Sequence, residues 1–178
     1  MTTDQKEPWL NYLAMSTIIF AVCATLSTFK GGGYSTLSIL SQTQASDQWA
    51  YFQAKSMKSN LYEISQEQLL LQLQLLPSNT ANEVKTQIEV QLAEYKSKVA
   101  KYDNEKAEIK LKAEELESVR NNARAHSKPF GLAVIFLQVA ILLSSIAGLL
   151  KQKMVWYAAL PVGCIGLLFF ANGFWLFF

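Results

Sequence analysis

The chain has 178 residues, with 16 Lys or Arg against 14 Asp or Glu, a single His, a net charge of +2 and 51% hydrophobic residues. That length allows one soluble domain at most. The two signs of charge are interspersed, which leaves no basic stripe for nucleic acid.

Charge is distributed unevenly along the chain. Residues 9–29, 129–150 and 154–178 carry none, and apart from Asp4, Lys6, Glu7, Lys151 and Lys153 every charged residue lies between Lys30 and Lys128. A bilayer core is about 30 Å thick and takes about 20 apolar residues in a helix. Three segments reach that length: 9–29, 129–150 and 155–178. A chain this short has too little polar surface to bury three such helices in a soluble fold. The composition therefore predicts an all-α membrane protein with three transmembrane helices.

The tail 1–8 precedes the first span. Its two acids and one lysine make a poor signal-peptide n-region, and no small-residue cleavage site follows, so the segment reads as a retained anchor. Pro8 suits the first turn of a helix. Trp9 and Tyr12 sit where amphipathic rings favour the membrane interface. After Phe29 come Lys30 and Gly31–Gly32–Gly33, which should break the helix or free its direction. No G-K-[ST] follows, so this is not a phosphate loop.

Residues 30–128 read as a long antiparallel coiled-coil hairpin outside the bilayer, inserted between the first two spans. Its first arm, 34–76, carries Ala50, Ala54, Met57, Leu61, Ile64, Leu71 and Leu75 at steps of four and three, with Gln68 completing the series. That spacing predicts a heptad seam. Leu69–Leu76 is apolar on more than one face and needs cover from the other arm or another subunit. Pro77 stops the arm and Ser78–Asn79 turns it. Thr80 with Glu83 fits a capping box. The second arm, 81–126, has its own seam in Leu92, Tyr95, Val99, Tyr102, Ile109 and Leu116, with Lys106 and Ala113 filling the series. Glu94 with Lys98 and Glu108 with Lys112 have the spacing of supporting ion pairs. Arms of 43 and 46 residues return the chain to its starting level.

Pro129 marks re-entry into the second span, 129–150. A short loop, 151–154, leads to the third span, 155–178, where Trp156 and Tyr157 repeat the interface pattern and Pro161 should bend the helix. Small residues spaced i,i+4 let helix backbones approach: Thr17, Ala21 and Thr25, then Ala140, Ser144 and Gly148, then Ala159 and Gly163. These are the expected membrane helix contacts. Weighting the short Lys151–Lys153 loop gives a cytoplasmic N-terminus and an external, periplasmic hairpin. The basic residues of the two sides are nearly balanced, so the opposite orientation stays open.

No catalytic, cofactor-binding or metal constellation is legible. His126 stands alone and reads as a surface or headgroup contact. Cys23 and Cys164 lie inside spans without ligand spacing. No ionisable carboxylate or base lies within a span, as ion-coupled carriers usually require.

The run Gln44 to Ser56, QASDQWAYFQAKS, following a span that ends in small residues and glycine, resembles the DUF4337 family of bacterial membrane proteins of unknown function. The order of span, long helical region and two close spans is similar over nearly the whole chain. The resemblance implies a bacterial envelope location and supplies no activity. On its own terms the run offers Asp47, Trp49, Tyr51 and Lys55 as a register or recognition motif, with Asp47, Tyr51 and Lys55 along one helix edge. The expected function is a non-enzymatic, homo-oligomeric membrane scaffold or adaptor. Its partners would be itself, membrane lipids and an unidentified protein at the hairpin. The alternative is a passive oligomeric channel or channel accessory, with Asn11, Ser16, Thr17 and Gln138 facing its axis.

Overall fold

The computed structural model describes residues 8–77 and 82–177. The described residues form three helices: α1 (Pro8–Leu75), α2 (Asn82–Leu150) and α3 (Lys153–Trp175). Each contains a stretch long and apolar enough to cross a membrane. The expected turn Ser78–Asn79 and the capping residue Thr80 lie outside the described residues.

Two expected breaks are absent. α1 runs through Gly31, Gly32 and Gly33 without a positive φ. A glycine within a helix costs about 1 kcal/mol relative to alanine. At Gly31 close packing explains it, because a Cβ there would stand 2.9 Å from the Cβ of Phe130. Gly32 and Gly33 face open space. α2 likewise continues through the buried Pro129. The expected first span and first arm are thus one helix, and so are the expected second arm and second span. A helix keeps every backbone group but the proline's paired, which an apolar environment demands.

Helix ends follow local chemistry. Pro77 lies just beyond α1 and disfavours helical geometry in the residue before it. α2 ends with Lys151 at φ 52°, and Gln152 N–H donates to the Ala147 carbonyl at 3.1 Å, a Schellman closure. α3 stops earlier than its apolar sequence suggests. Leu176 turns left-handed, and its N–H donates to Asn172 O at 2.8 Å. The helix therefore spans 153–175 rather than 155–178, and the loop before it shrinks to Lys151 and Gln152.

Two compact units divide the chain. One comprises the segments up to Leu40 and from Val119 onward; the other is Ser41–Ser118. In the first, Phe20, Ala24, Ala133, Leu137 and Ala140 form the buried core, with Leu160, Leu167 and Phe170 packed against it. α3 meets this core through glycines. A Cβ on Gly163 would lie 2.1 Å from the Phe20 ring, one on Gly166 2.7 Å from Leu137, and one on Gly173 2.7 Å from Phe130. Large side chains of α1 and α2 seat in notches that glycine leaves open, so backbones approach closely.

In the second unit, α1 and α2 meet through residues whose numbers move in opposite directions. Trp49 Nε1 donates to Glu117 at 3.1 Å, Lys55 pairs with Glu105 at 2.6 Å, and Ser59 donates to Asp103 at 3.2 Å. Tyr62 then lies 5.8 Å from Tyr102 and 5.3 Å from Tyr95, ring centre to ring centre.

Candidate interaction surfaces

On α2 the positions Leu92, Tyr95, Val99, Tyr102, Lys106, Ile109, Ala113 and Leu116 are all buried or half-buried. On α1 and just past its end, Ser41, Ala45, Gln48, Phe52, Lys55, Ser59, Tyr62, Gln66, Leu69, Leu73 and Leu76 are buried or half-buried, again at steps of four and three, with Trp49, Ser56 and Ser65 half-buried beside them. This corrects the first-arm seam. Ala50, Ala54, Met57, Leu61, Ile64, Leu71 and Leu75 share its period but face outward. The reason is chemical: the inward face of α1 mixes apolar, aromatic and polar residues, and α2 supplies partners for Trp49, Lys55 and Ser59. Lys55 is held by Glu105 and lies 5.3 Å from the centre of the Tyr102 ring. Lys98 pairs with Glu94 at 2.6 Å and lies 5.1 Å from the Tyr62 ring centre. Within the described residues no ion pair joins Glu108 to Lys112; Lys110 approaches Glu114 at 3.8 Å instead.

These charges shape one another. The hydrogen bond from Lys55 holds the Glu105 carboxyl below the ordinary carboxylate range, and Glu105 in turn raises the Lys55 ammonium. Lys106, 2.7 Å away, and then the hydroxyl of Ser59 lower Asp103.

The run around Trp49 divides between two faces. Trp49 and Lys55 point to α2, with Trp49 also edge-on to Phe52 at 5.7 Å. Asp47, Ala50 and Ala54 are exposed, and Tyr51 is exposed beneath the Lys55 ammonium. Trp49 thus contacts the opposite helix.

The outward stripe of α1 is a continuous apolar feature of this unit. Met57, Leu61, Ile64, Leu71 and Leu75 are 52–81% exposed. Phe52, Gln53, Ser56, Met57, Asn60, Leu61 and Ile64 line an open groove of about 490 Å³ along it.

In the other unit the expected small-residue contacts sort by helix. Ala140, Ser144, Ala159 and Gly163 are buried and Gly148 is half-buried against Leu13. On α1, Thr17 is half-buried and bonds Leu13 O, whereas Ala21 and Thr25 are exposed. The contact face of α1 there is Phe20, Ala24, Ser27 and Gly31 instead. Ser16 accepts a hydrogen bond from Trp156 at 3.2 Å, while Asn11 and Gln138 are exposed. His126 is half-buried rather than on the surface: its Nδ1 lies 2.8 Å from Gly173 O, and its ring stacks on Tyr34 at 4.8 Å. The sequence reading missed this contact and the notches at Gly166 and Gly173. Their signal was the spacing of Gly163, Gly166 and Gly173, three and seven apart.

Among the described residues no group of three or more His, Cys, Asp or Glu is placed to hold a metal ion, and both cysteines are free thiols.

Among the described residues these features define an all-helical chain of three helices, two of them very long, each with a stretch long and apolar enough to cross a bilayer. A family model described as a domain of unknown function, DUF4337, matches residues 9–176, and the chain belongs to that family. No curated protein and no solved structure matches it.

Proposed function

We propose that the chain is a homo-oligomeric scaffold or adaptor of the bacterial inner membrane, spanning it three times and doing no chemistry of its own. Between the first two spans, α1 and α2 pair as an antiparallel coiled-coil hairpin on the external side. The opposed numbering of the contacts from Trp49–Glu117 to Tyr62–Tyr95 supports the antiparallel sense. The 4–3 spacing of covered positions on both arms supports the coiled coil.

One observation carries the oligomeric reading: the apolar stripe of α1 from Ala50 to Leu75 stands exposed in the segment that has no lipid around it. In the spans, exposed leucine is solvated by lipid. Outside them, a contiguous apolar face of this kind marks an interaction surface. The second arm reads the opposite way. It carries eleven acids and bases from Glu94 to Glu114 and is built to stay wet. The exposed amides of Asn11 and Gln138 in the spans favour subunit contacts there also, and they are the observation that keeps a channel as the second reading.

Native mass spectrometry of the nanodisc-embedded protein tests the proposal. A discrete multiple of the 20.0 kDa chain is expected. A monomer would refute it. Conductance across a planar bilayer would separate a channel from a closed scaffold.

A further inference from the structure

The outward stripe of α1 is more specific than an apolar patch. Its members recur every three and four residues, in the same period as the inward face but on the opposite side of the helix. A stripe of period 3.5 fits another helix wound alongside it, whose side chains would enter holes such as the groove beside Met57 and Leu61. The geometry asks for a helix as its occupant.

Orientation selects which helix. Resting on the oligomeric membrane reading above, copies in one bilayer share one topology, and α1 is continuous from its membrane-spanning stretch to Leu75. The α1 helices of neighbouring copies therefore run in the same sense, with identical residues at identical heights. An arbitrary partner has no such alignment. Charge permits the match: between Ala50 and Leu75 the stripe contains no charged residue, and the side chains beside it are neutral except Lys58 on one flank and Glu67 on the other, which are of opposite sign. Asp47, next down the series, would face its own copy and marks the lower limit. One polar residue interrupts the stripe, Gln68. Equal heights would set two Gln68 amides against each other, each able to donate and accept. A slip of one heptad would leave an amide against leucine. A single amide in such a seam fixes register and strand direction.

We propose that α1 of a second copy packs along this stripe, parallel and in register, with Gln68 facing Gln68 of the partner subunit.

Same-residue disulfides test it. In a Cys23→Ser/Cys164→Ser background, Leu61→Cys, Leu71→Cys and Lys96→Cys are introduced one at a time, and each protein is oxidised mildly in nanodiscs. A disulfide needs Cα atoms about 4.4–6.8 Å apart, which a parallel in-register seam supplies and an antiparallel or shifted one does not. Leu61→Cys and Leu71→Cys should both give dimer at least tenfold more readily than Lys96→Cys, which sits on the exposed face of α2. Native mass is read on the same samples. An oligomeric mass with no disulfide at either α1 position, or equal yields at Lys96→Cys, overturns this interface while leaving the oligomer intact. A monomeric mass overturns both.

Discussion

The Nζ of Lys55 on α1 lies 2.6 Å from Glu105 Oε2 on α2, inside the face where the two long helices meet. Mutual hydrogen bonding lowers the Glu105 carboxyl and raises the Lys55 ammonium. Asp103 is lowered by Lys106 and Ser59 one turn away.

Acid should loosen the pairing of α1 with α2. A carboxylate with a lowered folded-state pKa contributes stability above its unfolded value, and that contribution disappears as pH falls through the folded value. For Glu105 and Asp103 the loss should set in below about pH 4. Thermal melts of the hairpin followed by circular dichroism from pH 7 to pH 3 check this. Glu105→Gln together with Asp103→Asn should flatten the profile.

Inward and outward faces should respond differently to the same substitution. Ile109 is 6% exposed, so Ile109→Asp buries an unpaired carboxylate at a cost of several kcal/mol and should melt the hairpin. Leu61→Asp places the charge on a 59% exposed position and should leave monomer helicity within about 0.5 kcal/mol of wild type while weakening assembly. Helicity and native mass on both variants separate the effects.

The glycine notches of α3 should tolerate no side chain. Gly163→Leu would drive a Cβ into the Phe20 ring, with an overpacking cost of about 1–3 kcal/mol or more. Phe20→Ala should restore part of the loss, because it empties the space. Steric-trap or detergent unfolding of the single and double variants measures the coupling.

His126 ties α2 to the end of α3 by its contact with Gly173 O and its stack on Tyr34. His126→Ala should lose about 1 kcal/mol for the hydrogen bond and a similar amount for the stack. Faster proteolysis near Trp175, with the hairpin unaffected, would reveal the freed end of α3.

The three helical stretches apolar enough to cross a membrane were legible because they are long, apolar and free of charge. The seam of α2 was legible because its apolar residues face α1. The phase of α1 was not. Apolar periodicity marks the side of a helix that avoids water, and on α1 that side is the outer one. Its inner side mixes Ala45, Phe52 and Leu73 with Lys55 and Ser59, whose fitness for burial shows only once Glu105, Asp103 and the tyrosines are opposite. The glycine triplet misled for a related reason. Gly31 is there for the close approach of Phe130, not for a turn.

The central claim is that the outer face of α1 holds the assembly together. Its most direct test is the native mass of the nanodisc-embedded protein beside that of Leu61→Asp/Leu71→Asp, with helicity measured on both. The account predicts a multiple of 20.0 kDa for the wild type and a single chain of unchanged helicity for the variant. The same assembled mass for both would contradict it.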